Sequence, residues 1–409
     1  MARRTIVVGL DVGTTKTTAL VGEVDGEHRV HIIGVGECPS SGLRKGTIVD
    51  IDNTVKSIDR AIEKAERMSG VHVEAVCVGI AGANISSVNN RGVIAVAGPD
   101  REITAEDVER VLQAARVIHL PADRRIIHVI PRQYLVDGYD GVRDPVGMAG
   151  SRLEVETNII TGAATSIQNM LKSIHRAGLK LQDLVLNPLA SGEAVLLPAE
   201  KELGVVVVDI GGGTTDIAIY DQGSPWFTSV LPIGGDYVTS DLAVGLRTTL
   251  AEAERVKREM GCVLADLAPD NEYVEITSVG GKEVNRVSRK LLATIIEPRM
   301  QEIIAIIRNE IYRSGYKGIL PGGVVLTGGA VLMDGLVELA RTQFNLPVRI
   351  GVPEGIGGIS DVVSSPAYAT AVGLVLYAAK KLHSSAGEED DPLLGKFFAK
   401  VKSWFREFF

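Results

Sequence analysis

One pattern occurs twice in this chain and constrains its fold more than any other feature. It is an apolar strand ending in Asp, then a Gly and Thr turn, then a second strand. The second copy is Val205–Tyr220, VVVVDIGGGTTDIAIY. Its four valines read as a buried strand. Asp209 ends that strand, and Gly211, Gly212, Gly213, Thr214, Thr215 and Asp216 lead into the next. The first copy is Ile6–Val21, IVVGLDVGTTKTTALV, with Asp11, Gly13, Thr14 and Thr15 in the matching places. The two leading aspartates lie 198 positions apart in a chain of 409. Repeated units at half-chain spacing imply two similar halves that close on one ligand.

The chemistry of the turns points to phosphate. Consecutive glycines are expected to take positive φ and to let backbone N–H groups approach an anion. The threonine hydroxyls add donors. A carboxylate beside bare phosphate would repel it, so Asp11 and Asp209 are expected to act through a hydrated Mg²⁺. One such hairpin alone is equally an ordinary Gly-rich turn; the pair favours a nucleotide cleft. Two other phosphate motifs fail on the letters. A P-loop needs Lys directly after its second glycine, and here Thr14 and Thr15 precede Lys16. A dinucleotide fingerprint runs from strand to helix, whereas both turns run into strands. The cluster Gly355-Ile-Gly-Gly358 is expected to be a loop.

Composition narrows the class. Apolar content of 45% and charged content of 23% are ordinary for a globular chain. The apolar run before Asp11 is too short for a signal peptide. No run reaches the roughly 20 apolar residues of a spanning helix. Cys38, Cys77 and Cys262 are scattered, which fits a reducing cytoplasm and no disulfide or zinc framework. A net charge of −8 argues against nucleic acid as a partner. Residues 393–409 nonetheless carry +3, which leaves −11 on the remainder.

Between the hairpins the expected order is a strand over Val30–Glu37, a helix over Ile51–Ser69 and a strand over Val73–Ile80. Asn84–Glu156 then breaks the rhythm and reads as an inserted α+β module. It has short strands at Val93–Ala97, Ile126–Val129 and Tyr134–Val136, and a helix at Thr104–Arg116. A core strand is expected to resume at Thr157. After the second hairpin, Gly234 and Gly235 open a helix. Leu250–Met260 carries Glu254 and Lys257 on one face. Ser288–Tyr312 is a long helix. Gly323–Thr327 runs as a strand into Gly328, Gly329 and Ala330, followed by a helix from Met333. Pro366–Leu382 is the last core helix.

The ordered set Asp11-Val-Gly-Thr-Thr, Asp209-Ile-Gly-Gly-Gly-Thr-Thr-Asp216 and Val325-Leu-Thr-Gly-Gly-Ala330 resembles the actin/Hsp70/sugar-kinase superfamily over residues 1–383. The resemblance implies an α/β, actin-like ATPase fold of two ribonuclease-H-like domains with ATP and Mg²⁺ between them. Gly13, Thr14, Thr15, Lys16, Gly211, Gly212, Gly213, Thr214 and Thr215 would hold the phosphates. Gly234, Gly235, Glu254, Lys257, Gly328, Gly329 and Ala330 would line the nucleoside. Asp11 and Asp209 would serve the metal and the reaction. Family ATPases often carry Glu where this chain has Asn187, so turnover is expected to be weak, with Glu193 the nearest substitute.

Within the superfamily the chain resembles the FtsA family of bacterial cell-division proteins. The insert falls at Asn84, no substrate-binding domain follows residue 383, and the chain closes with a polar linker and an aromatic amphipathic segment. Pilus-assembly proteins of the PilM type and small-molecule kinases are the alternatives. The resemblance implies domain 1A over 1–83, 157–199 and 360–383, insert 1C over 84–156, 2A over 200–235 and 314–359, and 2B over 236–313. It also implies self-assembly into filaments on the inner membrane face at the division site. The partners it implies are later division proteins and the C-terminal peptide of the tubulin-like protein FtsZ. Arg286, Arg289, Lys290 and Arg299 could meet that acidic peptide. Residues 384–392 read as a disordered tether. In 393–409, Leu394, Phe397, Phe398, Val401, Trp404, Phe405 and Phe408 share one helical arc, with Lys396, Lys400, Lys402 and Arg406 at its edges and on the opposite face. That pattern suits a helix lying in an anionic membrane surface.

Overall fold

The computed structural model describes residues 5–82, 84–97, 100–281 and 283–387. The first half begins with an antiparallel meander: β1 (Thr5–Val12), β2 (Lys16–Val24) and β3 (Val30–Pro39). A tiny hairpin follows, β4 (Leu43–Arg44) with β5 (Thr47–Ile48). Helix α1 (Ile51–Ser69) starts at Asp50, whose side chain accepts from the N–H of Asn53, and stops at left-handed Gly70. It buries Ile58, Ala61, Ile62 and Ala65 against the sheet. β6 (Ala75–Ile80) then pairs parallel to β1.

The insert is β7 (Ser86–Ala95), α2 (Ala105–Arg116), β8 (Arg124–Val136), β9 (Tyr139–Val142) and β10 (Arg152–Ala163). After it come α3 (Ala164–Arg176), β11 (Lys180–Leu186), α4 (Asn187–Val195) and α5 (Pro198–Leu203). The second half repeats the plan of the first. Its meander is β12 (Val205–Ile210), β13 (Thr215–Asp221) and β14 (Ser224–Leu231). Helices α6 (Gly235–Gly245) and α7 (Leu250–Met260) lead to the hairpin β15 (Tyr273–Thr277) and β16 (Val284–Ser288). α8 (Arg289–Arg313) runs through Pro298. β17 (Val324–Thr327), α9 (Leu336–Phe344), β18 (Val348–Ile350), β19 (Ile356–Gly358), α10 (Ser360–Val363) and α11 (Ala369–Gly387) complete the described chain.

Strand order makes the duplication explicit. The first sheet runs β11-β6-β1-β2-β3-β19. The second begins β18-β17-β12-β13-β14, with the same two parallel pairs followed by the same antiparallel meander. Each half has its own apolar core, and α4 packs on α11 beside the first sheet. The second sheet does not end at β14. A pairing of Ser229 with Ser86 adds β7, β10, β8 and β9 of the insert to its edge.

Several expectations need correction. The strand expected to resume the core at Thr157 is the second half of β10. It pairs with β7 and β8, not with the first sheet. The short strands at 126–129 and 134–136 are one strand, β8, which crosses Pro131 at a bulge, where the missing N–H does no harm. Residues 86–92 are also strand, although only 93–97 alternates visibly. Gly355–Gly358 contains β19, an edge strand parallel to β3. The helix expected from Met333 begins at Leu336, after a 3-10 turn over Gly329–Leu332. α11 extends to Gly387, four residues into the expected tether. The amphipathic segment 393–409 lies outside the described residues. No described helix is long and apolar enough to cross a membrane.

Candidate functional site: a cleft between two matched hairpins

The two Asp-Gly hairpins are built alike to the residue. In the first, Asp11 pairs with Thr18, and the N–H of Gly13 donates to the carbonyl of Lys16 at 3.0 Å. In the second, Asp209 pairs with Asp216, and the N–H of Gly211 donates to the carbonyl of Thr214 at 2.9 Å. The tips meet across the cleft. A methyl group on Gly212 would overlap Thr15, and one on Gly213 would come within 2.5 Å of the Thr14 hydroxyl. These glycines are needed for closeness. None of Gly13, Gly211, Gly212 and Gly213 has positive φ, contrary to the expectation from their clustering.

Three carboxylates line the floor. Asp209 Oδ2 accepts from Ser191 Oγ at 2.5 Å and from Thr370 Oγ1 at 3.0 Å. Burial raises its pKa, against the pull of those hydroxyls and of Lys16. Burial, reinforced by the charge of Asp209 and opposed by Lys16, pushes Asp11 up to about 7. Asp216 is raised well above the ordinary range by burial and by both other aspartates. Its Oδ1 is buried with no partner among the described residues. A water-held divalent cation is the species that would meet this excess of negative charge. Among the described residues no group of three or more His, Cys, Asp or Glu chelates a metal directly. A cation here would therefore be held through water and phosphate.

The side expected to meet the nucleoside is also closely built. Gly234 and Gly235 bring the start of α6 against the second hairpin, with the N–H groups of Gly235 and Asp236 donating to the carbonyls of Gly211 and Gly212. Lys257 is buried, not part of a solvent-exposed ion pair. It pairs with Glu254 at 2.6 Å and donates to Thr239 Oγ1 at 2.8 Å and to the Gly235 carbonyl at 3.1 Å. Gly328 has φ of 93°, a left-handed position that favours glycine, and turns the chain from β17 into Gly329 and Ala330. A methyl on Gly329 would meet nothing within 4 Å, so this backbone is open for a flat ring.

Some expected residues are placed elsewhere or are already engaged. Lys16 lies beside its hairpin but donates to Glu37 at 2.8 Å and sits 3.7 Å over the Tyr368 ring. Glu193 is engaged by two lysines. Burial would raise its pKa, but Lys201 at 2.8 Å and Lys380 at 2.9 Å outweigh that and hold it low. A carboxylate clamped by two ammonium groups is a poor base. Asn187 Oδ1 is buried and has no partner among the described residues. On the far side of the second half, Arg289 is bound to Glu272, Asp334 and the carbonyl of Met260. Arg299 is bound to Asp241 and Glu302, and Lys290 to Asp270. Arg286 is exposed over Tyr273.

Ser191, Thr370 and the β4–β5 hairpin are additions that sequence reading missed. Gly46 N–H donates to Thr14 Oγ1 at 3.1 Å, and Lys45 Nζ donates to Tyr237 Oη at 2.6 Å. No local motif marks them, because each acts on a residue far along the chain.

Comparison with known proteins agrees with this geometry. The family model described as cell division protein FtsA matches residues 206–373, and that of the SHS2 domain inserted in FtsA matches 82–161. The Pseudomonas aeruginosa cell division protein FtsA is 46% identical over 92% of this chain and 90% of its own. The Bacillus subtilis one is 43% identical over 93% and 85%. Among solved structures, a chain of the PilM-PilN type IV pilus biogenesis complex aligns with a TM-score of 0.66 at 19% identity, covering 92% of this chain and 99% of that one. MreB5 of Spiroplasma citri bound to ADP aligns with a TM-score of 0.54 at 13% identity, over 95% and 98%. The duplicated sheets and matched hairpins thus define an actin-like ATPase fold. Identity over nearly the full length then fixes the family: the chain belongs to the cell-division FtsA proteins.

Proposed function

We propose that this protein binds Mg-ATP in the cleft and uses the bound state to assemble, rather than to run a metabolic reaction. The observation that carries this is the identical register of the two hairpins over a floor of three raised carboxylates. The phosphates would lie against Gly13–Lys16 and Gly211–Thr215, and the nucleoside between Glu254, Lys257 and Gly328–Ala330. The metal would sit near Asp11 and Asp209, screened by water. Hydrolysis is slow in this reading, because Asn187 cannot accept a proton and Glu193 is clamped.

Membership of a cell-division family supports the wider role. The protein forms filaments on the cytoplasmic face of the membrane at the division site, anchored by 393–409. It tethers FtsZ filaments through the FtsZ C-terminal peptide on 236–313 and recruits later division proteins through the insert. The domain limits proposed from the sequence serve this reading, except that the insert runs on to Ala163 with β10. The test is reconstitution. Purified protein with ATP should bring FtsZ filaments onto anionic vesicles, and vesicles that stay bare would remove the tethering role.

A further inference from the structure

The β4–β5 hairpin brings its turn against both sides of the cleft. Lys45 and Gly46 both take positive φ, 50° and 72°. Two-residue hairpins of that kind favour Asn-Gly or Asp-Gly. A lysine in the left-handed region costs backbone energy, as does Gln222 before Gly223 in the β13–β14 turn; what sets Lys45 apart is where its side chain goes. That side chain crosses the cleft. Nζ donates to Tyr237 Oη at 2.6 Å and lies 5.0 Å from the centre of the Tyr237 ring, on α6 of the opposite half. The turn backbone meanwhile touches both phosphate hairpins. Gly46 N–H donates to Thr14 Oγ1 at 3.1 Å, and a methyl on Gly46 would come within 2.9 Å of the Thr214 methyl.

Charge distinguishes Lys45 from the other two cleft lysines. Lys16 is neutralised by Glu37 and Lys257 by Glu254. Among the described residues no carboxylate forms an ion pair with Lys45. Its oxygen partner is a neutral phenol. An ammonium group with only a neutral partner, carried on a hairpin that touches both phosphate turns, keeps its charge available for an anion between them.

We propose that Lys45 reads the terminal phosphate of a bound nucleoside triphosphate. The inference rests on the nucleotide cleft described above. The last phosphate of a triphosphate adds negative charge at the hairpin tips, and Lys45 turns to it from Tyr237. The β4–β5 hairpin then holds the two halves together more firmly on a triphosphate than on a diphosphate. Lys45 is thus a discriminating residue, and Tyr237 is the neutral partner it rests on when no terminal phosphate is present.

The experiment measures dissociation of fluorescent ATP and ADP analogues from the full chain by stopped flow. The proteins are wild type, Lys45→Gln, Lys45→Arg and Tyr237→Phe. Loss of one charge-assisted contact should speed release of the triphosphate about tenfold in Lys45→Gln. Release of the diphosphate should change less than about threefold. Lys45→Arg should recover most of the difference, and Tyr237→Phe should retain discrimination because the cation is still present. Equal acceleration for both nucleotides, or none in Lys45→Gln, overturns the inference while leaving the cleft intact. Wild type that binds neither nucleotide overturns the cleft itself. Circular dichroism of Lys45→Gln guards against misfolding, and Tyr237→Phe losing discrimination as completely as Lys45→Gln would also count against the lysine.

Discussion

Thr18 and Asp216 occupy the same position in the two duplicated hairpins. Thr18 lies opposite Asp11, and Asp216 lies opposite Asp209. Both are buried, and Thr18 Oγ1 and Asp216 Oδ1 each lack a partner among the described residues. The repeated frame therefore buries an unpartnered polar group at the same position in each half, a hydroxyl in the first and a carboxyl in the second. Burying an unpartnered polar group is costly. A site that keeps two of them on matched strands is organised for a hydrated ligand.

The raised carboxylates give a pH signature. Asp11, at about 7, holds its proton in the folded chain where an unfolded carboxyl would release it. Between pH about 4 and about 7 the folded state therefore binds more protons, so stability falls as pH rises through that window. Asp11→Asn removes the penalty. In nucleotide-free protein it should raise thermal stability at pH 8, by about 4 kcal/mol at most, and by almost nothing at pH 4. The measurement is thermal unfolding across that range. A gain that does not change with pH would show that Asp11 does not hold a raised pKa.

The hairpin tips tolerate no side chain. Gly212 faces Thr15 and the Asp236 carboxylate, so Gly212→Asp adds both bulk and negative charge. Asp209→Ala removes the carboxylate that Ser191 and Thr370 orient. Each should weaken binding of a fluorescent ATP analogue by about 100-fold or more, corresponding to roughly 3 kcal/mol. Titration by fluorescence anisotropy decides it. Unchanged affinity in both variants would remove the cleft assignment.

Glu193 gives the contrasting case. Its carboxylate joins Lys201 of α5 to Lys380 of α11. Glu193→Gln should leave nucleotide affinity within about twofold of wild type and lower stability by about 1 kcal/mol, since one partner is largely exposed. Its pKa is held low, so the stabilisation it gives is present above the ordinary carboxylate range and fades as acid protonates it. Calorimetry with parallel ATP titration separates the two roles. A collapse of binding without loss of stability would return Glu193 to the reaction.

What the letters carried and what they did not follows from where each signal lies. Asp11, Asp209 and the glycines are adjacent within short motifs, and the duplication is visible as a repeat. Hence the fold and both hairpins were legible. Lys257 was legible as a motif residue but not as a buried one, because burial depends on Gly235 and Thr239 arriving from α6. The clamp on Glu193 joins residues up to 187 positions apart. Lys45 reaching Tyr237 spans 192. β10 was misassigned for a different reason. Its inner half is built around the apolar pair Ile159 and Ile160 and is buried like a core strand, and only pairing with β7 and β8 reveals which sheet it serves.

Residues 393–409 are the proposed membrane anchor. Five of the chain's seven phenylalanines and one of its two tryptophans fall in these 17 residues. At about 100° per residue, the large apolar side chains from Leu394 to Phe409 occupy an arc of roughly 140°. Lys400 and Lys402 flank the arc, and Lys396 and Arg406 lie farther round. A helix that fills a protein groove needs apolar anchors, but it has no need of a +3 charge set against a chain that is otherwise −11. An anionic lipid surface uses both. Each basic residue near that surface contributes about 1 kcal/mol, while ordering the segment opposes binding. One helix should thus bind reversibly, and ATP-dependent assembly should strengthen binding through many linked copies. Sedimentation with anionic vesicles should pellet the full chain, more so with ATP than without. A 1–391 truncation should stay in solution, and Phe405→Glu should lose most of the pelleted fraction. Neutral vesicles should pellet less of the full chain than anionic ones. If the truncated protein pellets as well as the full chain, the segment is not the anchor.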